Sequence, residues 1–213
     1  MVAAGVLISG SGSNLQAILD RIAAGHLDCR VHIVISNRPG APGLARAEAA
    51  GVPTRVIDHR SFGSREEFDT ALVTALREAG VELVALAGFD RLVTGVLLDA
   101  FPHRIMNIHP ALLPSFKGLH VQGQALAYGV KIAGATVHFV DQDTDHGPII
   151  VQGAVALEPD DTEETVRDRI LAVEHRIYPV AMQLFAEGRL TVEGRRVLVR
   201  GPRPPAPPAL ICW

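Results

Sequence analysis

Short runs of aliphatic and β-branched residues alternate along the chain with longer stretches in which apolar residues recur every three or four positions. The first run, residues 2–9, predicts a buried strand, and residues 14–24 show the spacing of an amphipathic helix. Repetition of this pair predicts βαβ units around a mostly parallel central sheet, with helices on both faces. The further strands are predicted at residues 31–36, 54–57, 83–86, 105–108, 135–140 and 149–155.

Polar residues, glycines and prolines mark the ends of the predicted elements. Ser64 followed by Glu67 predicts a capping box at the start of a helix, and a last long helix is predicted over residues 161–188. A small hairpin is predicted around Gly194, and a long loop with two prolines and a glycine follows the strand at 105–108. The predicted fold class is therefore α/β.

Composition and charge exclude several classes of protein. The chain has 213 residues, of which 48% are hydrophobic and 20% charged, as in an ordinary globular domain. A formal net charge of −3 argues against a nucleic-acid partner, and the apolar N-terminal run is too short to cross a membrane. Two distant cysteines favour a reducing compartment, so we expect a cytoplasmic protein. The Pro-rich residues 201–213 are expected to be a disordered tail.

A glycine-rich turn lies between the first predicted strand and the first predicted helix, with the sequence Ser-Gly-Ser-Gly-Ser-Asn at residues 9–14. Glycines let the backbone approach an anion, and a helix N-terminus supplies free N–H groups and a partial positive charge. The turn lacks the Gly-Lys-Ser/Thr of a P-loop, and Leu15 stands where a dinucleotide fingerprint has its third glycine. Two interpretations stay open at this point: a phosphate cradle, and a tight turn that binds nothing.

A polar pair ends the predicted strand at residues 105–108. Asn107 and His109 are two positions apart and so point to the same side of a strand. In open α/β sheets, ligands bind beyond the carboxyl ends of the strands. There a histidine can exchange protons near neutral pH, and an amide can donate a hydrogen bond to an oxyanion. The alternative is a pair that only satisfies backbone groups of the following loop.

An acidic loop follows the predicted strand at 135–140. Its sequence is Asp141-Gln142-Asp143-Thr144-Asp145-His146. A carboxylate of this loop placed beside His109 would favour the charged imidazolium. The cluster of aspartates also raises the alternative of a metal site, but an EF-hand loop needs a glycine and a glutamate that are missing here, so we expect no metal.

Three motifs now occur together in order and spacing. They are Ser-Gly-Ser-Gly-Ser-Asn-Leu-Gln at 9–16, Asn-Ile-His-Pro-Ala-Leu-Leu-Pro-Ser-Phe-Lys-Gly at 107–118, and Thr-Val-His-Phe-Val with Asp-x-Gly-Pro-Ile-Ile at 136–150. With them, the chain resembles the phosphoribosylglycinamide formyltransferases, a family of folate-dependent enzymes, from residue 6 to about residue 190. The resemblance implies the formyltransferase (Rossmann-like) fold over residues 1–200, with a phosphate-binding half at 1–100 and a catalytic and folate-binding half at 101–200.

The same resemblance implies roles for particular residues. The catalytic trio would be Asn107, His109 and Asp145. The residues implied to hold the substrate phosphate and ribose are Gly12, Ser13, Asn14 and Glu174. The residues implied to bind folate are Arg65, Asp90, Arg91, Leu92, Val93, Asn107, Asp141, Gln142, Asp143 and Thr144. Two positions depart from the family pattern, since Asp90 stands where the family often carries Met and His146 where it often carries Gly.

The activity implied by the resemblance is transfer of a formyl group from 10-formyltetrahydrofolate, a co-substrate, to the amine of 5-phosphoribosylglycinamide in de novo purine synthesis. We expect small-molecule substrates, no nucleic acid, no membrane, no metal, and a monomer or weak homodimer. The chain is expected to lack the additional domains of methionyl-tRNA formyltransferases and formyltetrahydrofolate hydrolases. The alternatives are formyltetrahydrofolate hydrolysis, a non-catalytic nucleotide-binding module, and a metal-dependent hydrolase based on the acidic loop.

Overall fold

The computed structural model describes residues 1–202, and its centre is a single twisted sheet. The strands are β1 (Val2–Ile8), β2 (Cys29–Ser36), β3 (Thr54–Val56), β4 (Leu83–Leu86), β5 (Ile105–His109), β6 (Ile132–Phe139), β7 (Ile149–Ala156), β8 (Leu190–Glu193) and β9 (Arg196–Val199). Their order in the sheet is β3-β2-β1-β4-β5-β6-β7-β9-β8. The pairs from β3 to β5 are parallel, whereas β6 is antiparallel to both β5 and β7. The prediction of a mostly parallel sheet is confirmed.

Helices cover both faces of this sheet, as predicted. They are α1 (Ser13–Ala23), α2 (Pro42–Ala49), α3 (Arg65–Glu78), α4 (Gly95–Ala100), α5 (Val121–Tyr128) and α6 (Glu163–Ala186). On one face, Ile18 of α1 and Tyr178 of α6 belong to the same buried cluster. On the other face, Leu72 of α3 and Leu97 of α4 form a second cluster. The strands between the clusters are buried on both sides, which explains why they read as continuous apolar runs.

The strand order indicates where a ligand-binding crevice is expected. From β1 the chain builds outward through β2 and β3, and it then returns to add β4 and β5 on the opposite side of β1. The carboxyl ends of β1 and β4 therefore flank a topological switch point, where open α/β sheets bind ligands. The glycine-rich turn follows β1, and Asn107 and His109 lie at the end of β5, next to β4.

Three short elements were not predicted: α4, α5 and a 3₁₀ turn at His59–Ser61. Helix α5 lies inside the segment predicted to be a long loop. It contains Gly123, begins after His120 in the left-handed conformation, and has no side-chain cap, so it lacks the signals by which helices are recognised in sequence. Its stability comes instead from tertiary burial of Val121 and Ala125.

The predicted capping box at α3 is half present. The Ser64 hydroxyl accepts a hydrogen bond from the Glu67 N–H, as predicted, but the Glu67 carboxylate accepts from the N–H of Gly63 instead of that of Ser64. The hairpin predicted around Gly194 is confirmed as β8 and β9. None of the helices in residues 1–202 combines the length and apolar character that a membrane span requires. Residues 203–213, most of the tail predicted to be disordered, lie outside the described residues.

Candidate active site

Antiparallel pairing of β5 with β6 brings the polar pair of β5 against two polar residues of β6. In this register, Asn107 lies opposite His138, and His109 lies opposite Thr136. All four side chains are on one side of the two strands because side-chain direction alternates along a strand. The Asn107 Nδ2 atom lies 3.2 Å from His138 Nε2. The sheet itself therefore fixes the position of Asn107.

The orientation of the Asn107 amide follows from the state of His138. The Nδ1 atom of His138 lies 2.8 Å from the Phe139 carbonyl oxygen, which can only accept, so Nδ1 carries the proton. Nε2 is then an acceptor for the Asn107 N–H. Burial lowers the pKa of His138 and keeps the ring neutral, although the carboxylate of Asp145 acts in the opposite direction. One of the two N–H bonds of the Asn107 amide remains for another acceptor.

His109 is buried between two oxygen acceptors. Its Nδ1 atom lies 3.4 Å from Asp145 Oδ2, and its Nε2 atom lies 2.8 Å from the carbonyl oxygen of Phe116. The loop that carries Phe116 is anchored by Thr136, whose hydroxyl donates to the Ala111 carbonyl and accepts from the Leu113 N–H. Because a carbonyl oxygen can only accept, Nε2 carries a proton, and the Asp145 carboxylate lies on the Nδ1 side of the ring.

Asp145 is held in an uncommon backbone conformation. Its φ is 49°, in the left-handed region, and its Oδ2 atom accepts a hydrogen bond of 2.9 Å from the Gly118 N–H. Two residues later, a Cβ atom on Gly147 would lie 1.7 Å from the Phe139 carbonyl oxygen, so no side chain fits there. The acidic loop thus leaves β6 and re-enters β7 along a tightly constrained path that directs Asp145 toward His109.

The glycine-rich turn is shaped by close contact with α2. Gly12 has a φ of 70° and precedes α1, and a Cβ atom on it would lie 2.6 Å from the Cα of Gly43. The Gly43 N–H donates to the carbonyl of Gly10, and Arg46 donates to the carbonyl of Ser11. These contacts hold the turn against α2, and the first N–H groups of α1 have no partner within the helix.

Asn14 and Glu174 form a buried pair across 160 residues of sequence. The Asn14 amide donates a hydrogen bond of 2.7 Å to Glu174 Oε2, and the two residues are 6% and 7% exposed. Burial raises the pKa of Glu174, and the hydrogen bond from Asn14 opposes this rise. The structure thus brings together two residues that were predicted to hold the same ribosyl phosphate.

The segment predicted to bind folate through Asp90 is tied to the ends of β1 and β2. Asp90 Oδ1 accepts from the Ser9 hydroxyl at 2.8 Å and from the Asn37 amide at 3.0 Å, and the Arg38 guanidinium contacts Oδ2. Burial opposes ionisation of Asp90, but these hydrogen bonds and the charges of Arg38 and Arg91 outweigh it, so the pKa of Asp90 lies below its usual value. The carboxylate is therefore engaged with the strand ends.

The other residues predicted to bind folate lie in three separate segments. Arg65 is the first residue of α3, and residues 91–93 follow β4 before α4. Leu92 is 55% exposed, as expected of a side chain available to a ligand. Residues 141–144, in the acidic loop, are the third segment. Within residues 1–202, no group of three or more His, Cys, Asp and Glu side chains has an arrangement that could hold a metal ion.

Comparison with known proteins gives the family. A family model described as formyl transferase matches residues 3–182. The chain belongs to the formyltransferase family. It is 40% identical over 200 residues to phosphoribosylglycinamide formyltransferase of Escherichia coli, an alignment that covers 94% of each protein. It also superposes on the crystal structure of glycinamide ribonucleotide transformylase 1 from Symbiobacterium toebii with a TM-score of 0.92 and 58% identity, covering 93% of this chain and 94% of that one.

Longer relatives contain the same region as one part. The chain is 47% identical over 183 residues to the human trifunctional purine biosynthetic protein adenosine-3. This alignment covers 86% of this chain and 18% of the human protein. The chain spans less than a fifth of the length of the trifunctional relatives it matches. The resemblance to phosphoribosylglycinamide formyltransferases that the three motifs predicted is confirmed, as is the fold of the family.

Sequence reasoning missed the part played by His138 and by the Phe116 carbonyl. The contact of His138 with Asn107 depends on the register between β5 and β6, which joins segments far apart in the sequence. The Thr-Val-His-Phe-Val motif was the available signal for His138. The Phe116 carbonyl has no signal in sequence, because it belongs to the backbone and reaches His109 only through the path of the loop.

Proposed function

We propose that this formyltransferase transfers the formyl group of 10-formyltetrahydrofolate to the amine of 5-phosphoribosylglycinamide. The products would be formylglycinamide ribonucleotide and tetrahydrofolate, in de novo purine synthesis. The observation that carries the proposal is the group of Asn107, His109 and Asp145 at the carboxyl end of β5, where one Asn107 N–H is not used by His138 and His109 faces a carboxylate. The names of the bacterial relatives, which are phosphoribosylglycinamide formyltransferases, support the acceptor and the transferred group.

The reaction needs stabilisation of negative charge on oxygen. The amine nitrogen attacks the formyl carbon, and the carbonyl π electrons move to the oxygen. Collapse of the tetrahedral intermediate breaks the bond between the formyl carbon and the folate nitrogen, one proton leaves the amine, and one reaches that nitrogen. The free N–H of Asn107 is the proposed fixed donor to the oxyanion. Its orientation by His138 before substrate binds means that no reorganisation is needed when the charge develops.

His109 is the proposed charged donor. In the free protein its Nε2 faces the Phe116 carbonyl, so the oxyanion would replace that carbonyl as the acceptor. Asp145, held by the Gly118 N–H, would keep the ring oriented and stabilise its positive charge. The proton that leaves the amine would pass through this pair, directly or by way of a water molecule.

The remaining proposed roles concern binding. The α1 N-terminus at Gly12, Ser13 and Asn14 would hold the substrate phosphate, and Glu174 would accept from the ribose hydroxyls. Binding energy at this distance from the reacting atoms would orient the amine toward the formyl carbon. The folate would contact residues 90–93, the acidic loop and Arg65 at the start of α3. We further propose a cytoplasmic enzyme with small-molecule substrates and no metal step.

The test is folate absorbance during turnover of the purified chain, with 10-formyltetrahydrofolate in the presence and absence of 5-phosphoribosylglycinamide. We expect the wild type to remove the formyl group from the folate only when the amine is present. We expect His109→Ala to show no such reaction. His26→Ala is the matched control, because His26 is an exposed histidine outside the site. Formyl loss without the amine would instead indicate the hydrolase, and no reaction with either mixture would leave the non-catalytic binding module.

A further inference from the structure

The hairpin formed by β8 and β9 contacts the acidic loop through one arginine. Strand β9 lies beside the start of β7, with Arg196 in register with Ile149, and this docks the hairpin turn against the loop that precedes β7. Arg195 in that turn donates from Nη2 to the carbonyl oxygen of His146 at 2.7 Å. His146 directly follows Asp145, so the hairpin reaches the residue next to the proposed catalytic carboxylate.

Arg195 also contacts the imidazole ring of His146. Its Nη1 atom lies 2.7 Å from Nε2 of that ring, and Nδ1 of the ring lies 2.8 Å from Asp141 Oδ2. Nη1 also lies 3.1 Å from Nδ1, but the two shorter contacts are satisfied together when the proton is on Nδ1, since Nδ1–H then donates to Asp141 and Nε2 accepts from Arg195. His146 therefore links the first residue of the acidic loop to the hairpin.

These contacts matter because the loop has few others. Between Asp141 and Thr144, the loop is stabilised by a local bond from the Asp143 N–H to Asp141. Asp145 itself has a φ of 49°, a conformation that costs energy for a residue with a side chain and persists only where the surroundings impose it. The path after it is imposed by Gly147, which passes against the Phe139 carbonyl. The Arg195 bond fixes the intervening peptide.

We propose that Arg195 is a positioning residue for formyl transfer: by holding the His146 carbonyl, it keeps Asp145 in the backbone conformation that directs its carboxylate to His109. The inference rests on the proposed function for its catalytic consequence. Its geometric part, that Arg195 orders the acidic loop, holds independently of the reaction. Among residues 1–202, the hydrogen bonds of Arg195 go to His146 and to none of Asn107, His109 and Asp145, so its proposed effect passes through the loop.

Hydrogen exchange of the free protein tests the geometric part. Arg195→Ala should speed exchange of amides in residues 141–147, while protection in β1, β4 and β5 stays as in the wild type. Arg196→Ala is the matched control, because it removes the neighbouring exposed arginine of the same hairpin. Unchanged exchange in residues 141–147 would overturn the proposal. So would loss of protection throughout the sheet, because Arg195 would then be a general stabilising residue.

Steady-state kinetics test the catalytic part. Arg195→Ala should lower kcat on the order of tenfold or more, because a displaced carboxylate no longer orients His109. The KM for 5-phosphoribosylglycinamide should stay within about twofold, since its proposed anchors are on α1 and α6. Arg195→Lys, which keeps one donor for the carbonyl, should recover part of kcat. An unchanged kcat, or a rise in that KM with kcat unchanged, would overturn the proposal.

The two measurements separate this inference from the proposed function. A wild-type chain that transfers no formyl group would refute the proposed function, and hydrogen exchange would still decide whether Arg195 orders the loop. A chain that transfers formyl groups but shows equal kcat with and without Arg195 would refute the positioning role alone. His146→Ala keeps the backbone carbonyl, so it should lower kcat less than Arg195→Ala does; a larger loss would assign the effect to the imidazole instead.

Discussion

Replacement of Glu174 by glutamine is expected to stabilise the free protein and to weaken its binding of the ribosyl phosphate. The reason lies in the Asn14–Glu174 pair. Asn14 donates to the carboxylate, but its own Oδ1 atom is buried without a hydrogen-bond partner among the described residues. An ionised glutamate can only accept hydrogen bonds and so cannot satisfy that oxygen. A glutamine amide would supply the missing N–H.

The size of the effect follows from the cost of a buried, unsatisfied acceptor. That cost is about 1–3 kcal/mol, so the free energy of unfolding of Glu174→Gln should exceed that of the wild type by about that amount at neutral pH. For a domain of roughly 200 residues, each kcal/mol raises the Tm by about 2–4 °C. A Tm increase of at least about 2 °C is therefore expected.

The difference should depend on pH. Burial raises the pKa of Glu174 above its ordinary value of 4.5. Between pH 4.5 and the higher pKa of the folded protein, the native state holds a proton that the unfolded chain has lost. The stability of the wild type therefore falls as pH rises through the folded pKa. The variant has no such titration. Its advantage should be greatest at neutral pH and should shrink as the pH falls toward 4.5, because the folded wild type then holds its proton, and below 4.5 the unfolded chain holds it as well.

Urea denaturation between pH 4.5 and 8 measures this difference directly. Glu164→Gln is the control, since Glu164 is on the same helix with its side chain 76% exposed and should change stability by less than about 0.5 kcal/mol. A Glu174→Gln protein that is less stable than the wild type at neutral pH, or whose advantage is the same at every pH, would refute the reasoning. An unchanged Kd for 5-phosphoribosylglycinamide would refute the assigned binding role.

Three further predictions concern the catalytic centre. Asn107→Ala should lower kcat on the order of a hundredfold with a small change in KM, because a fixed oxyanion donor is lost. A rise in KM alone, measured by steady-state kinetics, would contradict this role. Asp145→Asn should lower kcat while substrate Kd values, measured by calorimetry, stay close to those of the wild type; loss of binding would argue against its role. Gly147→Ala should destabilise the protein by about 1–3 kcal/mol in urea titrations, because its Cβ would overlap the Phe139 carbonyl, whereas Gly95→Ala, whose Cβ would meet no atom closer than 3.9 Å, should not.

Much of the fold could be predicted because its strands and long helices carry strong local patterns. The buried strands β1, β2 and β4 were recognised as apolar runs, and the start of α3 was recognised from its Ser64 cap. Helix α5 could not be predicted, because its stability depends on what Val121 and Ala125 pack against and not on a pattern within it. The order of the strands in the sheet could not be predicted either, because β1 pairs with β2 and β4 through contacts between distant segments of the chain.

The candidate site divides in the same way. Asn107 and His109 could be predicted to share a side of β5, because alternation along a strand is a local property. That Asp145 faces His109 was a hypothesis that the geometry supports, with 3.4 Å between the carboxylate and the ring. The contacts made by the Phe116 carbonyl and by Arg195 could not be predicted, because they join a side chain to a backbone oxygen in a segment far along the chain.

By itself, the sequence determined the α/β class, the family and the residue types gathered at the end of β5, because local periodicity and motif order carry that information. The tertiary structure decided which partner each of these groups has. The contact with the Phe139 carbonyl sets the tautomer of His138, and the β5–β6 register places the Asn107 amide against the accepting nitrogen of that ring. The docked hairpin decides that Arg195 holds the loop of Asp145. Hydrogen bonds depend on distances of a few tenths of an ångström between atoms, and only the packed chain fixes those distances.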